Sequence, residues 1–230
     1  MGKLKKQTII NIGVISFIII ELILTILIQL IGGKVLSFLS IVLACLFSIV
    51  FISKSKNYIL TQIALFTTVC ADIFLVVLDP MIQLPAMIFF SITQLCYFIR
   101  ILINQTNVKI RLIHVIVRCV IVLIAIIATC LTLKENTDAL SIISLFYYAN
   151  LLVNVVFSFI NYKNIVLSAG LICFACCDFF IGLEVLSSSY LPIKEGSILY
   201  YLNNIDFNIA WLFYVPSQTL LSLSLYNYKK

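Results

Sequence analysis

Apolar runs dominate this chain. Segments 8–31, 35–53, 58–78, 84–104, 111–133, 139–161, 164–187 and 206–226 carry little charge, and each is bounded by charged, Gly, Pro or Asn positions. About 20 apolar residues in a helix cross a hydrocarbon core ~30 Å thick. Hydrophobic residues make up 63% of the chain and charged residues 10%, with a mean hydropathy of +1.19. Soluble domains run near roughly 45–50% apolar and about 25% charged. A water-soluble enzyme, a disordered chain and a secreted disulfide framework are therefore excluded. The expected fold class is an all-α polytopic membrane protein: a single integral membrane domain over 1–230, built as a bundle of eight transmembrane helices. Most connections are short, so neighbouring helices should be antiparallel. The basic then apolar start resembles a signal peptide. Its run is longer than an h-region of roughly 7–15 residues and has no small-residue cleavage site, so it reads as a retained first span.

Basic residues set the orientation. With the N-terminus cytoplasmic, Lys3, Lys5, Lys6, Lys54, Lys56, Arg100, Lys109, Arg111, Arg118, Lys163, Lys229 and Lys230 fall at the inner side, against Lys34, Lys134 and Lys194 outside. That twelve-to-three split predicts both termini cytoplasmic. The long connection 187–205, with Tyr190, Tyr200 and Tyr201, is then extracytoplasmic, either as a lid or as an ordinary loop.

Ionisable side chains inside spans face the bundle interior or a water-filled cavity and are functional candidates. Asp72 and Asp178 stand out. Each comes 14 residues after its span begins, in Cys70-Ala71-Asp72-Ile73-Phe74 and Cys176-Cys177-Asp178-Phe179-Phe180. At 1.5 Å per residue this is roughly 21 Å from the inner end. The four-span offset is what two parallel four-helix repeats would give. Glu21 is a third interior acid, read as structural.

Helical spacing collects other polar residues on single faces. Thr61, Thr68, Asp72 and Asp79 fall within about 40° of one another. Tyr147, Asn150, Asn154 and Asn161 share a stripe, as do Trp211, Tyr214 and Gln218, and as do Gln94 and Tyr97. Ser168, Ala175 and Gly182 recur beside Asp178, and small residues of this kind allow close helix approach. One stripe alone is ordinary interhelical hydrogen bonding, but five spans turning polar groups inward indicate a polar cavity. The eight cysteines all lie in apolar runs, and His114 is the only histidine. Cys173, Cys176 and Cys177 therefore read as packing residues, with no metal expected.

In order, these segments resemble the YhhN-type, lysoplasmalogenase-like family of multispan membrane proteins. Ala64 to Leu75 resembles the family's span ending in an apolar-small-Gly-Asp-x-x-Leu pattern. Phe90 to Tyr97 resembles a span ending His-x-x-Tyr, and Gly170 to Asp178 one ending Ser-Asp. Tyr214-Val215-Pro216-Ser217-Gln218-Thr219-Leu220 resembles its closing Tyr-Tyr-x-Ala-Gln-x-Leu. Lys34 stands where the family has a lysine. Ala71 replaces a glycine, Cys177 a serine and Gln94 the histidine, and Pro216-Ser217 alters the last motif. Glutamine can hydrogen-bond but cannot titrate.

The resemblance implies hydrolysis of the vinyl ether bond of a lysoplasmalogen, giving a fatty aldehyde and glycerophospho-ethanolamine or -choline. That chemistry needs a protonated carboxyl to protonate the vinyl β-carbon and a carboxylate to orient water at the resulting oxocarbenium ion. Paired carboxyls work in this way in glycosidases. Like-charged neighbours in low dielectric share one proton. Asp72 and Asp178 are the expected catalytic pair, in either order. Gln94, Tyr97, Tyr147, Asn150, Asn154, Tyr214 and Gln218 are expected to orient substrate or water, and Lys34 to meet the lipid phosphate. No metal or organic cofactor is required. The expected partners are the bilayer and a lysophospholipid, with no nucleic acid, in a bacterial cell membrane. Two other readings fit the residues: a proton-coupled carrier, and a catalytically inactive membrane protein of the same fold.

Overall fold

A computed structural model describes residues 2–50, 56–78, 80–162, 164–189, 194–203 and 208–226. The helices are α1 (Gly2–Ile31), α2 (Lys34–Val50), α3 (Lys56–Asp72), α4 (Gln83–Asn104), α5 (Val108–Leu133), α6 (Ala139–Phe157), α7 (Ile165–Ser189), α8 (Ile198–Asn203) and α9 (Ile209–Leu223). There is no strand among the described residues. A π-helical turn, Ile73–Val77, extends α3, and another, Ser158–Tyr162, extends α6.

Local chemistry explains where the helices start. The Asn107 side chain accepts from the backbone N–H of Lys109 at 2.9 Å and of Ile110 at 3.4 Å. This cap satisfies donors that the first turn leaves free, so α5 begins before the apolar run predicted from 111. At α6, Asp138 Oδ1 accepts from Ser141 N at 2.7 Å while Ser141 Oγ accepts from Asp138 N at 3.1 Å, a reciprocal capping box. The α1–α2 turn uses Gly32 and Gly33 at φ +71° and +112°, a region that side chains disfavour.

Among the described residues, six helices are long and apolar enough to cross a membrane: Ile10–Ile31, Asn57–Val77, Gln83–Asn104, Val108–Asn136, Ala139–Ile160 and Ile165–Ser188. The protein is thus a multi-pass, all-helical membrane protein. Lys34–Ile49 and Ile209–Leu223 are apolar but shorter. The far end of the predicted span 35–53 and the start of 206–226 lie partly outside the described residues, as do Asp79 and Tyr190.

The burial pattern inverts that of a soluble protein. On α5, Leu112, Ile116, Leu123 and Ile127 are exposed, whereas His114, Arg118 and Thr129 are buried. A lipid solvent rewards this arrangement, because unpaired polar groups cost several kcal/mol in hydrocarbon. The helix pairing also repeats. α1 packs on α2 as α5 does on α6, α2 on α3 as α6 on α7, α3 on α4 as α7 on α9, and α2 on α9 as α6 on α4. The four-helix offset of Asp72 on α3 and Asp178 on α7 follows this scheme.

Two sequence expectations need correction. Gly182 is exposed, and nothing would stand within 4 Å of a Cβ there. Close helix approach occurs instead at Gly170, where a Cβ would lie 2.9 Å from Leu221 Cγ and 3.1 Å from its backbone N. Arg100 and Arg118 are not aqueous-side charges, being 0% and 8% exposed within the bundle. A count of basic residues assigns both to the inner side, but hydrogen-bonding side chains on neighbouring helices hold them.

Candidate active site

The aspartates occupy the interior where α3, α6, α7 and α9 face one another. Asp72 is the last residue of α3, immediately before the π turn Ile73–Val77. Such a turn breaks the helical register, often at functional positions. Tyr214, from α9, donates its hydroxyl to Asp72 Oδ2 at 2.7 Å. Tyr147, from α6, donates its hydroxyl to Asp178 Oδ2. Asp72 is buried and Asp178 half-buried. The two carboxyls are linked through one run of aromatic side chains, from Asp178 through Tyr147, Phe174 and Tyr214 to Asp72, and Cys177, beside Asp178 in the chain, is buried.

An aromatic wall holds the two tyrosines. The Phe174 ring stands between them, with its centroid 6.5 Å from Tyr147 and 5.6 Å from Tyr214. Phe90 stacks on Tyr147 at 5.5 Å, and Trp211 meets Tyr214 edge-on at 5.5 Å. Among the described residues, neither aspartate has a cationic partner. Two neighbouring carboxyls with hydroxyl donors and no counter-ion suit proton transfer better than structural ion pairing.

The other predicted residues divide into groups. Gln94, Tyr97 and Gln218 are buried, and each leaves side-chain polar atoms without a partner among the described residues: Gln94 Nε2, Tyr97 Oη, and both Nε2 and Oε1 of Gln218. Ser217 Oγ is likewise unpartnered. Pro216, inside α9, carries no N–H and so removes a helix bond next to these residues. No described hydrogen bond joins the aspartates to Asn150 or Asn154. Their Oδ1 atoms accept from Arg118 Nη1 and Nη2, each at 2.5 Å, and Asn154 Nδ2 donates to Gln94 Oε1 at 3.0 Å. Lys34 is exposed at the start of α2, and no described bond joins it to the carboxyls. The Asn161 side chain lies outside the described residues.

Glu21 is buried and accepts from Ser40 Oγ at 2.5 Å, which ties α1 to α2. Sequence reasoning missed two arginines. Arg100 donates from Nη1 to Thr61 Oγ1 at 2.6 Å and Ser224 Oγ at 2.8 Å, tying α4 to α3 and to the end of α9. Arg118 ties α5 to α6. The rule that singled out interior acids could have found both, had it been applied to bases inside apolar runs. Among the described residues, no group of three or more His, Cys, Asp or Glu could hold a metal ion.

This ordered interior can be set against known proteins. The model of the YhhN family matches residues 32–225. The chain belongs to the YhhN family. No curated protein and no solved structure matches it. The YhhN match contains Asp72, Asp178, both tyrosines and the Arg118 network. It begins after α1, which ends at Ile31. Glu21 therefore belongs to a helix outside the matched stretch, bonded through Ser40 to one inside it.

Proposed function

We propose that this YhhN-family protein is a membrane-embedded hydrolase that cleaves the vinyl ether bond of lysoplasmalogens. One observation carries the reading: two interior carboxyls, without counter-ions among the described residues, are each held by a tyrosine hydroxyl on either side of Phe174. The pair shares one proton. The protonated member transfers it to the β-carbon of the vinyl ether, and the ether oxygen supplies the electron pair that forms the oxocarbenium ion. The other carboxylate takes a proton from water as the water oxygen bonds to the α-carbon. The hemiacetal then breaks its bond to the glycerol oxygen, which leaves protonated, and releases the aldehyde. Water and vinyl ether are consumed in equal amounts and the proton returns to the pair.

Tyr147 and Tyr214 orient the carboxylates. Gln94, Tyr97 and Gln218, with their unpartnered polar atoms, support a wet compartment beside the pair. Asn150 and Asn154 act behind Gln94. Lys34, on the opposite membrane side from Asn107 in the eight-span arrangement, meets the phosphate of the incoming lipid. In that arrangement the chain is one integral domain with both termini cytoplasmic, in a bacterial plasma membrane.

Asp72→Asn and Asp178→Asn test this assignment. Each keeps the shape of the side chain and removes its ability to exchange a proton. Each is expected to abolish aldehyde release from lysoplasmenylethanolamine while the purified protein keeps the wild-type melting profile. Full activity in either variant would overturn the paired-carboxyl mechanism.

A further inference from the structure

Arg118 lies ten residues beyond the start of α5, or ~15 Å along the helix. A permanent charge at that depth needs polar support from inside the bundle. Nη1 donates to Asn150 Oδ1 and Nη2 to Asn154 Oδ1, each at 2.5 Å. Nη2 also stands 3.3 Å from His114 Nε2, and the guanidinium carbon lies 4.0 Å above the Phe98 ring. None of these partners is a carboxylate.

Arginine only donates hydrogen bonds. It therefore turns both asparagine oxygens toward itself and both Nδ2 groups away. Asn154 Nδ2 then donates to Gln94 Oε1 at 3.0 Å and to the Gln94 backbone carbonyl at 2.9 Å. The side-chain bond turns Gln94 Oε1 toward Asn154 and Gln94 Nε2 the other way. Gln94 is 1% exposed, and its Nε2 has no partner among the described residues. A glutamine amide has nearly the same shape after a flip, so packing alone would leave donor and acceptor interchangeable. Here a fixed charge two bonds away decides the orientation.

We propose that Arg118 is a positioning residue that acts through Asn154 to fix the Gln94 amide as a hydrogen-bond donor facing the interior, where it holds an oxygen of a bound molecule. That oxygen belongs to water or to the glycerol backbone of a lysolipid. The choice of molecule rests on the hydrolase reading, whereas the orientation of the amide does not.

Asn154→Asp separates polarity from support. Aspartate still accepts from Arg118 but has no N–H for Gln94, so the Gln94 amide flips to donate to it and presents Oε1 instead. With lysoplasmenylethanolamine as substrate, kcat/KM should fall about tenfold or more while the melting temperature in detergent stays near wild type. A fall in kcat at constant KM places water on the donor, and a rise in KM places the lipid oxygen there. Gln94→His keeps an N–H donor and should hold activity within a few-fold, whereas Gln94→Glu should match the loss in Asn154→Asp. Wild-type kcat and KM in Asn154→Asp overturn the proposal. If that variant does not insert, equal activities of Gln94→His and Gln94→Glu overturn it.

Should the wild-type protein release no aldehyde, the hydrolase reading fails and a second measurement decides this one. In protein carrying 15N-labelled glutamine side chains, the Gln94 amide signals are assigned by their loss in Gln94→Glu. They should move in both Asn154→Asp and Arg118→Met. Unchanged signals in both variants would show that the chain does not set the amide.

Discussion

At the scale of single residues, each interior aspartate is matched to one tyrosine from a different helix, Tyr214 for Asp72 and Tyr147 for Asp178. A hydrogen bond to a charged group contributes about 1.5–3 kcal/mol, so Tyr147→Phe and Tyr214→Phe should each slow vinyl ether hydrolysis by roughly 10–100-fold. Initial rates on lysoplasmenylethanolamine check this, and wild-type rates in both variants would remove the tyrosines from the mechanism. The acids themselves were legible in the sequence, because a carboxyl inside an apolar run has no stable lipid-facing position. Helical spacing also gave the faces of Tyr147, Asn154, Tyr214 and Gln218. It did not give the pairing, since periodicity fixes a direction around one helix and not the neighbour it meets. Arg100 and Arg118 were misread for a different reason. Counting basic residues near span ends treats each as water-facing, and a buried guanidinium looks the same in that count.

At the scale of helices, the closest approach shapes the bundle near the site. Gly170 on α7 lets α9 come against it at Leu221, whose Cγ and backbone N both crowd the missing Cβ. Overpacking of this kind costs about 1–3 kcal/mol. Gly170→Val should therefore lower the melting temperature in detergent, while Gly182→Val, at an open position, should leave it unchanged. Equal melting of the two variants would contradict the packing described. The sequence marked α7 as a helix with small residues but not which of them meets a partner, because that depends on the crossing point of two helices. The short α8 lies in the connection 187–205, which reads in the sequence as a lid or loop, whereas the bodies of the long helices were legible. Their ends moved where caps such as Asn107 and Asp138 satisfied the first turn, and the π turn after Asp72 left no mark in the hydropathy.

At the scale of the whole molecule, the pairing scheme of α1–α4 recurs in α5–α9 and sets Asp72 in one half and Asp178 in the other. The proposed eight-span arrangement places Asn107 and Glu135 on opposite membrane faces. Single cysteines introduced there in a cysteine-free background should react with an impermeant maleimide from opposite sides, Glu135→Cys in intact cells and Asn107→Cys only after permeabilisation. Labelling of both from one side would change the span count. The central claim is chemical, and hydrolysis in D2O tests it most directly. Purified protein given lysoplasmenylethanolamine in D2O, with the aldehyde trapped as it forms, should yield fatty aldehyde carrying one deuterium on the carbon next to the carbonyl, and Asp72→Asn and Asp178→Asn should yield none. Absence of aldehyde from the wild-type protein, or aldehyde without that deuterium, would contradict proton transfer to the vinyl β-carbon by the Asp72–Asp178 pair.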